Sequence, residues 1–244
     1  MKCSDKTVTT LDSIKHFFDA FSVTYENDIL YKSLGTKFCS YIELKFIMDS
    51  CPQLKGKRVL DIGIGTGRIS CLLLRMGATI HGIDISEKMM EISKKRFKGK
   101  PVSFEIASLE DPLPFENDTF DCVVCIRVLK YVRNWRMAIK EISRVLRKNG
   151  DFLMDVPNSF SVAIIGKRHT RYFLFNCLSF AANLHKEGFE IQKICAGLRF
   201  PFPLYVRVNN RLLLHWLIKL ESLIDSILPT YVLSRNILIS CKKR

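Results

Sequence analysis

Three glycines at alternate positions, Gly63, Gly65 and Gly67, follow an apolar run that carries a carboxylate, in the stretch VLDIGIGTGR over residues 59–68. Glycine lets the backbone turn sharply and approach a ligand with no Cβ in the way. Such a turn after a first strand is where open α/β sheets bind their ligands. Asp61, just ahead of the glycines, offers a carboxylate suited to an ammonium or amide partner. About 20 residues on, where an acid commonly takes ribose hydroxyls, the segment Thr79-Ile-His-Gly-Ile-Asp-Ile-Ser86 places Asp84 at the end of a second apolar stretch. Together the two elements point to a ligand that contains a nucleoside. The evenly spaced glycines differ from the Gly-x-Gly-x-x-Gly dinucleotide pattern, and a pyrophosphate beside Asp61 would meet a negative charge, so a nicotinamide or flavin site is disfavoured.

The elements that hold these residues alternate. Arg58 to Ile62, Thr79 to Ile85, Val102 to Ala107, Phe120 to Ile126 and Gly150 to Val156 read as five strands. Arg68 to Met76, Ser86 to Phe97 and Met137 to Arg147 read as the helices between them, with Ser86 as a helix cap. Alternation of this kind predicts a parallel sheet covered on both faces. Beyond Val156, Ser179 to Lys186 reads as a helix and Phe189 to Ala196 as a strand. Asn210 to Ile227 reads as an amphipathic helix with His215, Lys219, Ser222 and Asp225 or Ser226 at helical spacing, and Asn236 to Cys241 as a closing strand before a basic tail. The expected organisation is one domain over residues 1–244, with a helical extension at 1–50 and an insertion or substrate lid at 198–232.

VLDIGIGTGR, GIDIS and the stretch from Leu109 to Val124 (LEDPLPFENDTFDCVV) resemble the class I S-adenosylmethionine-dependent methyltransferases, in particular the ubiquinone/menaquinone-type small-molecule branch. The resemblance is good over about Phe17 to Asn158 and loose elsewhere. It implies a Rossmann-like, seven-stranded, mostly parallel α/β sheet with helices on both faces and the last strand antiparallel. It also implies S-adenosyl-L-methionine as cofactor. By the resemblance, Asp61 and the turn from Gly63 through Ile64 and Gly65 to Gly67 hold the methionine portion, Asp84 the ribose, and Ile85 packs on the adenine. Ser108 and Leu109 border that ring, and Ile126 and Arg127 line the space beside the sulfonium.

Two positions depart from the branch. Ser108 stands where an Asp usually reaches the adenine amino group, and Val128-Leu-Lys-Tyr131-Val replaces the usual Val-Leu-x-His-Val. A motif histidine able to act as base is therefore absent. Methyl transfer from a sulfonium is an in-line displacement whose main requirement is alignment. If the acceptor is a hydroxyl, a base must also take its proton, and the candidates are Tyr131, Tyr25, His169 and Tyr172.

The chain of 244 residues carries a formal charge of +14, and residues 166–244 hold 13 basic against four acidic side chains. Such a bias suits an anionic partner or simple solubility. The segment from Leu198 to Leu228 combines Phe200, Phe202, Leu204, Tyr205 and Trp216 with Arg199, Arg207 and Arg211. It reads as an apolar lid over a greasy acceptor, or as a patch for peripheral contact with an anionic membrane. Lys219, Glu221 and Asp225 argue against a membrane span there. The N-terminus lacks the apolar core of a signal peptide. The nine scattered cysteines read as free thiols in the cytoplasm, with no metal site, since Cys122 and Cys125 on one strand face opposite ways.

The leading expectation is a methyltransferase for a small, hydrophobic or lipid-like acceptor. A tRNA or other nucleic-acid methyltransferase fits the charge but lacks an Asn-Pro-Pro-Tyr-type tetrapeptide and an RNA-binding module. A non-catalytic S-adenosylmethionine-binding protein is the third reading.

Overall fold

The computed structural model describes residues 10–159, 161, 173–196, 202–227 and 234–244. Strands β1 (Arg58–Ile62), β2 (Thr79–Asp84), β3 (Val102–Ile106), β4 (Phe120–Cys125), β5 (Leu146–Pro157), β6 (Phe189–Ala196) and β7 (Asn236–Lys243) form one sheet in the order β3-β2-β1-β4-β5-β7-β6. Strand β7 runs antiparallel to both of its neighbours, β5 and β6. The other pairings are parallel. The chain order reverses direction between β1 and β4, which is the switch point where a ligand crevice opens beyond the carboxyl ends of the strands.

Helices α1 (Leu11–Phe21), α2 (Leu34–Ser50), α3 (Arg68–Arg75), α4 (Glu87–Arg96), α5 (Trp135–Val145), α6 (Cys177–Lys186), α7 (Phe202–Arg207) and α8 (Arg211–Ile227) complete the fold. Strand alternation divides the core. Val59, Ile80, Cys122 and Leu153 pack with Phe46 and Ile47 of α2 and with Ile69 and Leu73 of α3. Leu60, Ile62, Val123 and Cys125 face the other way, towards Ile139 and Ile142 of α5 and Phe180 of α6. Each of these side chains is almost wholly buried, and truncating one such as Leu60→Ala costs about 2–5 kcal/mol. Cys122 and Cys125 thus lie on opposite faces, as three residues' separation on a strand requires.

Caps fix several helix starts. Ser86 Oγ accepts from Met89 N at 3.1 Å, and Asn210 Oδ1 accepts from Leu212 N at 2.8 Å. Other boundaries differ from the sequence reading. Asn134 Oδ1 accepts from Met137 N, so α5 begins two residues before Met137. Leu146 already pairs with Phe120 across a register irregularity, so α5 stops at Val145 and β5 starts well ahead of Gly150. The expected basic tail is strand instead. Lys242 pairs with Asp151 and Lys243 with Asp118 across the sheet's end.

Helix α8 presents more than the polar stripe that its spacing suggests. Leu217 and Glu221 are buried, and Tyr205 donates a hydrogen bond to Glu221, which ties α8 to α7. Leu212, Leu213, Trp216, Leu220 and Leu223 are all exposed, Leu212 at 71% and Trp216 at 66%. Of the expected substrate and surface residues, His169, Tyr172, Arg199 and Phe200 lie outside the described residues.

Candidate active site at the switch point

The turn after β1 is held by backbone. Gly63 N and Ile64 N both donate to Ile83 O, at 2.8 and 3.0 Å. Gly65 N donates to Asp84 Oδ2 at 2.8 Å, while Ser86 N donates to Asp84 Oδ1 at 2.9 Å. Asp84 therefore ties the first turn to the start of α4 and keeps lone pairs for further donors. Gly65 sits at φ +54°, and a Cβ there would meet nothing closer than 3.8 Å. Its side faces open space, and the left-handed backbone is what selects glycine. Gly67, also left-handed at φ +89°, has a second reason to be glycine: a Cβ would meet the Phe97 ring at 2.3 Å.

A largely apolar cleft opens over this turn, the concave form that small-molecule sites take. Its floor is Gly63, Ile64, Gly65 and Thr66, with Asp84, Ile85, Ser108, Leu109 and Ile126 beside them. The structure brings these residues together. Asp61 and Gly67 stand behind the wall instead. Ser70 Oγ donates to Asp61 Oδ2 at 2.6 Å, and Asp61 Oδ1 is buried with no hydrogen-bond partner among the described residues. Burial pushes the Asp61 carboxyl up to about 7 and the Asp84 carboxyl up to about 6.

The cleft's roof is α1 and the segment after it. Leu11, Ile14 and Phe18 of α1 reach in, and so does Tyr25. The Phe18 ring meets Tyr25 at 6.2 Å and Tyr131 at 5.5 Å between centroids, both edge to face. Two polar links fasten this roof to α4: Ser86 Oγ donates to Asp19 Oδ1 at 2.5 Å, and Lys15 meets Glu87 at 2.7 Å. Next comes a single π-helical turn, Glu26–Leu30, a rare form often found at functional sites. Glu26 Oε1 accepts from Thr66 Oγ1 at 2.6 Å and from Arg96 at 2.7 Å, so this turn is latched to the glycine loop.

At the far end lies a buried ion cluster. Glu43 of α2 takes Arg68 Nη2 at 2.6 Å and Arg127 Nε at 2.7 Å. Burial alone would raise the Glu43 carboxyl, yet the two guanidiniums hold it below its ordinary value. Arg127 has φ +67°, a conformation that costs a bulky residue of order 1–3 kcal/mol. Its backbone N–H donates to the buried Asp155, and Asn236 donates to the other oxygen of that carboxylate at 3.1 Å. Glu43 was invisible to motif reasoning. Its signal was an acid on a helix face otherwise carrying Cys39, Ser40, Phe46 and Ile47, all buried.

Of the candidate bases, Tyr25 and Tyr131 line the cleft. Lys130 Nζ lies 5.2 Å from the Tyr131 ring centroid.

Residues 60–154 match the methyltransferase domain family, and this span contains the glycine turn, Asp84 and the β4 end just described. That span, under half of the chain, is similar to the methyltransferase domain over the elements that build the cleft. Relatives of that domain include the ubiquinone biosynthesis O-methyltransferase of Thiobacillus denitrificans, 30% identical over 128 residues, covering 50% of this chain and 55% of that one. The Xanthomonas euvesicatoria enzyme of the same name is 24% identical over 175 residues, covering 65% and 73%. The chain thus spans little more than half the length of the first of these relatives. Among solved structures, an S-adenosylmethionine-dependent methyltransferase from Mesorhizobium loti superposes with TM-score 0.64 at 18% identity, over 83% of this chain and 98% of that one. The cyclase SpnF superposes with TM-score 0.72 at 17% identity, over 98% and 99%. These likenesses establish the methyltransferase-domain fold; the chemistry has to be argued from the site.

Proposed function

We propose that this chain transfers the methyl group of S-adenosylmethionine to a small, hydrophobic or lipid-like acceptor. One observation carries the reading: a glycine turn and Asp84, locked together by the Gly65 N–H, form one end of a cleft whose roof is the aromatic set Phe18, Tyr25 and Tyr131. The residues present fit the donor. Asp84 would accept the ribose hydroxyls, Ile85 and Leu109 would flank the adenine with Ser108 as a hydrogen-bonding partner, and Gly63 to Gly65 and Ile126 would border the methionine portion. Asp61 would serve from behind, its orphaned Oδ1 available to a donor ammonium or a bridging water. When bound, the donor supplies an electrophilic methyl on a sulfonium. The chain's task is then to orient the acceptor and exclude water. The apolar roof does the second, and its attachment to α4 by Asp19 and Lys15 keeps it over the cleft.

The relatives named for ubiquinone biosynthesis support a greasy acceptor. So does the exposed face of α8. Leu212, Leu213, Trp216, Leu220 and Leu223 lie beside the exposed cations Arg207, Arg211 and Lys219, an arrangement suited to anionic lipid. Among the described residues no helix is long and apolar enough to cross a membrane. The reading is of a single cytoplasmic domain that touches the membrane surface to meet its acceptor. Nucleic acid is the less favoured partner, because the exposed leucines of α8 would find no phosphate to contact.

The test is incubation with methyl-labelled donor and a total lipid extract. Label entering the organic phase, with S-adenosylhomocysteine released in equal amount, is the expected result. Label entering transfer RNA and not lipid would overturn the choice of acceptor.

A further inference from the structure

We propose that Arg127 binds the acceptor through an ionised oxygen, a phenolate or carboxylate, and so takes the place of a general base. The inference rests on the reading of the cleft as a methyl-transfer site and names the acceptor's chemistry.

The two guanidiniums on Glu43 are not equivalent. Both Nη atoms of Arg68 are engaged: Nη2 goes to Glu43, and Nη1 to the Ser40 carbonyl and hydroxyl at 3.4 and 3.0 Å. From the Arg127 side chain, among the described residues, only Glu43 takes a hydrogen bond, and it takes it at Nε. The forked Nη end of Arg127 remains for a ligand, on the wall of the cleft. That fork matches a carboxylate or a phenolate better than an ammonium would.

The charge count agrees. Arg68 and Arg127 share one carboxylate, and Lys130 stands on the next turn. Facing them is Asp155, whose carboxyl burial pushes above its ordinary range, with Tyr25 and Cys39 as further neighbours of Arg127. The pocket end therefore holds an excess of positive charge, in a region where water is scarce. The left-handed backbone at residue 127 aims this side chain, and it is held by Asp155 and Glu43 as positioning residues. Among non-glycine residues with positive φ, Asp118 and Asn149 are of types that tolerate it. An arginine there is held against its preference.

The step balances without a protein base. The acceptor's proton passes to solvent as the ionised form binds. The oxygen's electron pair then forms the O–CH₃ bond while the S–CH₃ bond breaks, and the broken bond's pair stays on sulfur, leaving neutral S-adenosylhomocysteine.

The experiment uses the whole chain saturated with S-adenosylhomocysteine and 4-nitrophenol as probe, whose phenolate is coloured. Bound to the native protein, the probe should ionise about one pH unit or more below its free value, as a cation within about 4–6 Å produces. Arg127→Gln should abolish that shift and Arg127→Lys should retain part of it. Glu43 keeps Arg68 in both variants, so a matched pair remains. Calorimetry with S-adenosylhomocysteine and with methylthioadenosine, which lacks the amino-acid end, separates the other anion available, the donor's own carboxylate. Equal affinity of native and Arg127→Gln protein for both ligands is expected. A selective loss for S-adenosylhomocysteine in the variant would assign Arg127 to the donor and overturn the proposal. So would an unshifted or unbound probe in a protein that binds S-adenosylhomocysteine normally. Failure to bind S-adenosylhomocysteine at all would instead remove the reading of the cleft itself.

Discussion

The two ends of the cleft are built from different materials. The end beneath α4 is a backbone construction: the amides of Gly63, Ile64, Gly65 and Ser86 converge on one carbonyl and one carboxylate, and every partner lies within about one β-α-β unit. The opposite end is a side-chain construction. Glu43 and Arg127 meet across 84 positions of sequence, and Phe18 reaches Tyr131 from a helix outside the sheet. A site for an invariant ligand can be made of backbone, which tolerates change in side chains. A site that discriminates acceptors needs side chains, and these must be held by long-range pairs. The contrast predicts that damage to the first end shows as lost donor affinity, and damage to the second as lost stability or acceptor preference.

The largest effect should come from the side-chain end. Glu43→Ala leaves Arg68 and Arg127 without their shared carboxylate, a loss of about 3–5 kcal/mol by analogy with other broken buried pairs. Urea unfolding would measure it, and a change under 1 kcal/mol would mean that the cluster is solvated. Next is the pH response of Asp61. The unfolded carboxyl ionises near 3.8 and the folded one near 7, so the folded state holds the proton in between. The stability this group contributes is therefore present below about pH 4 and lost as the pH rises towards 7. Asp61→Asn should flatten a fall of a few kcal/mol across that window, and equal slopes in both proteins would refute the burial argument.

At the backbone end, Asp84→Ala should weaken S-adenosylhomocysteine by about 1.5–3 kcal/mol, the worth of hydrogen bonds to a charged acceptor. Gly65→Ala should cost about 1–2 kcal/mol of stability through its left-handed backbone alone, with no collision to relieve, since the space beside it is open. A neutral outcome would mean that the turn relaxes. The smallest effect on stability belongs to Trp216→Ser, within about 0.5 kcal/mol, yet it should reduce binding to anionic vesicles at high salt. Unchanged vesicle binding would leave the α8 face without its assigned partner.

The sequence made the backbone end readable because spacing alone encodes it. Alternating glycines demand a turn, and an acid some 20 residues later demands a second strand end. The seven strands with the last one antiparallel follow from the resemblance and match the sheet found. What escaped was tertiary. Nothing near Glu43 in the chain announces its two arginines, and nothing in the Asn210–Ile227 pattern shows that its leucines outnumber the core available to cover them. Asp61 and Gly67 look like ligand contacts by position, yet stand behind the cleft wall. Their roles, a buried carboxylate and a packing contact with Phe97, are set by elements that fold onto the turn from elsewhere.

Calorimetric titration of the native chain with S-adenosylhomocysteine at several pH values tests the central claim most directly. Ribose hydroxyls donate to the ionised form of Asp84, whose carboxyl sits at about 6 in the free protein. Affinity should therefore rise with pH, by up to about tenfold per unit for one proton released, and level off above about 6, while Asp84→Ala loses that dependence along with one to two orders of magnitude in affinity. No binding, or binding indifferent to both pH and Asp84 while NADH binds tightly, would contradict the assignment of the cleft to a methyl donor.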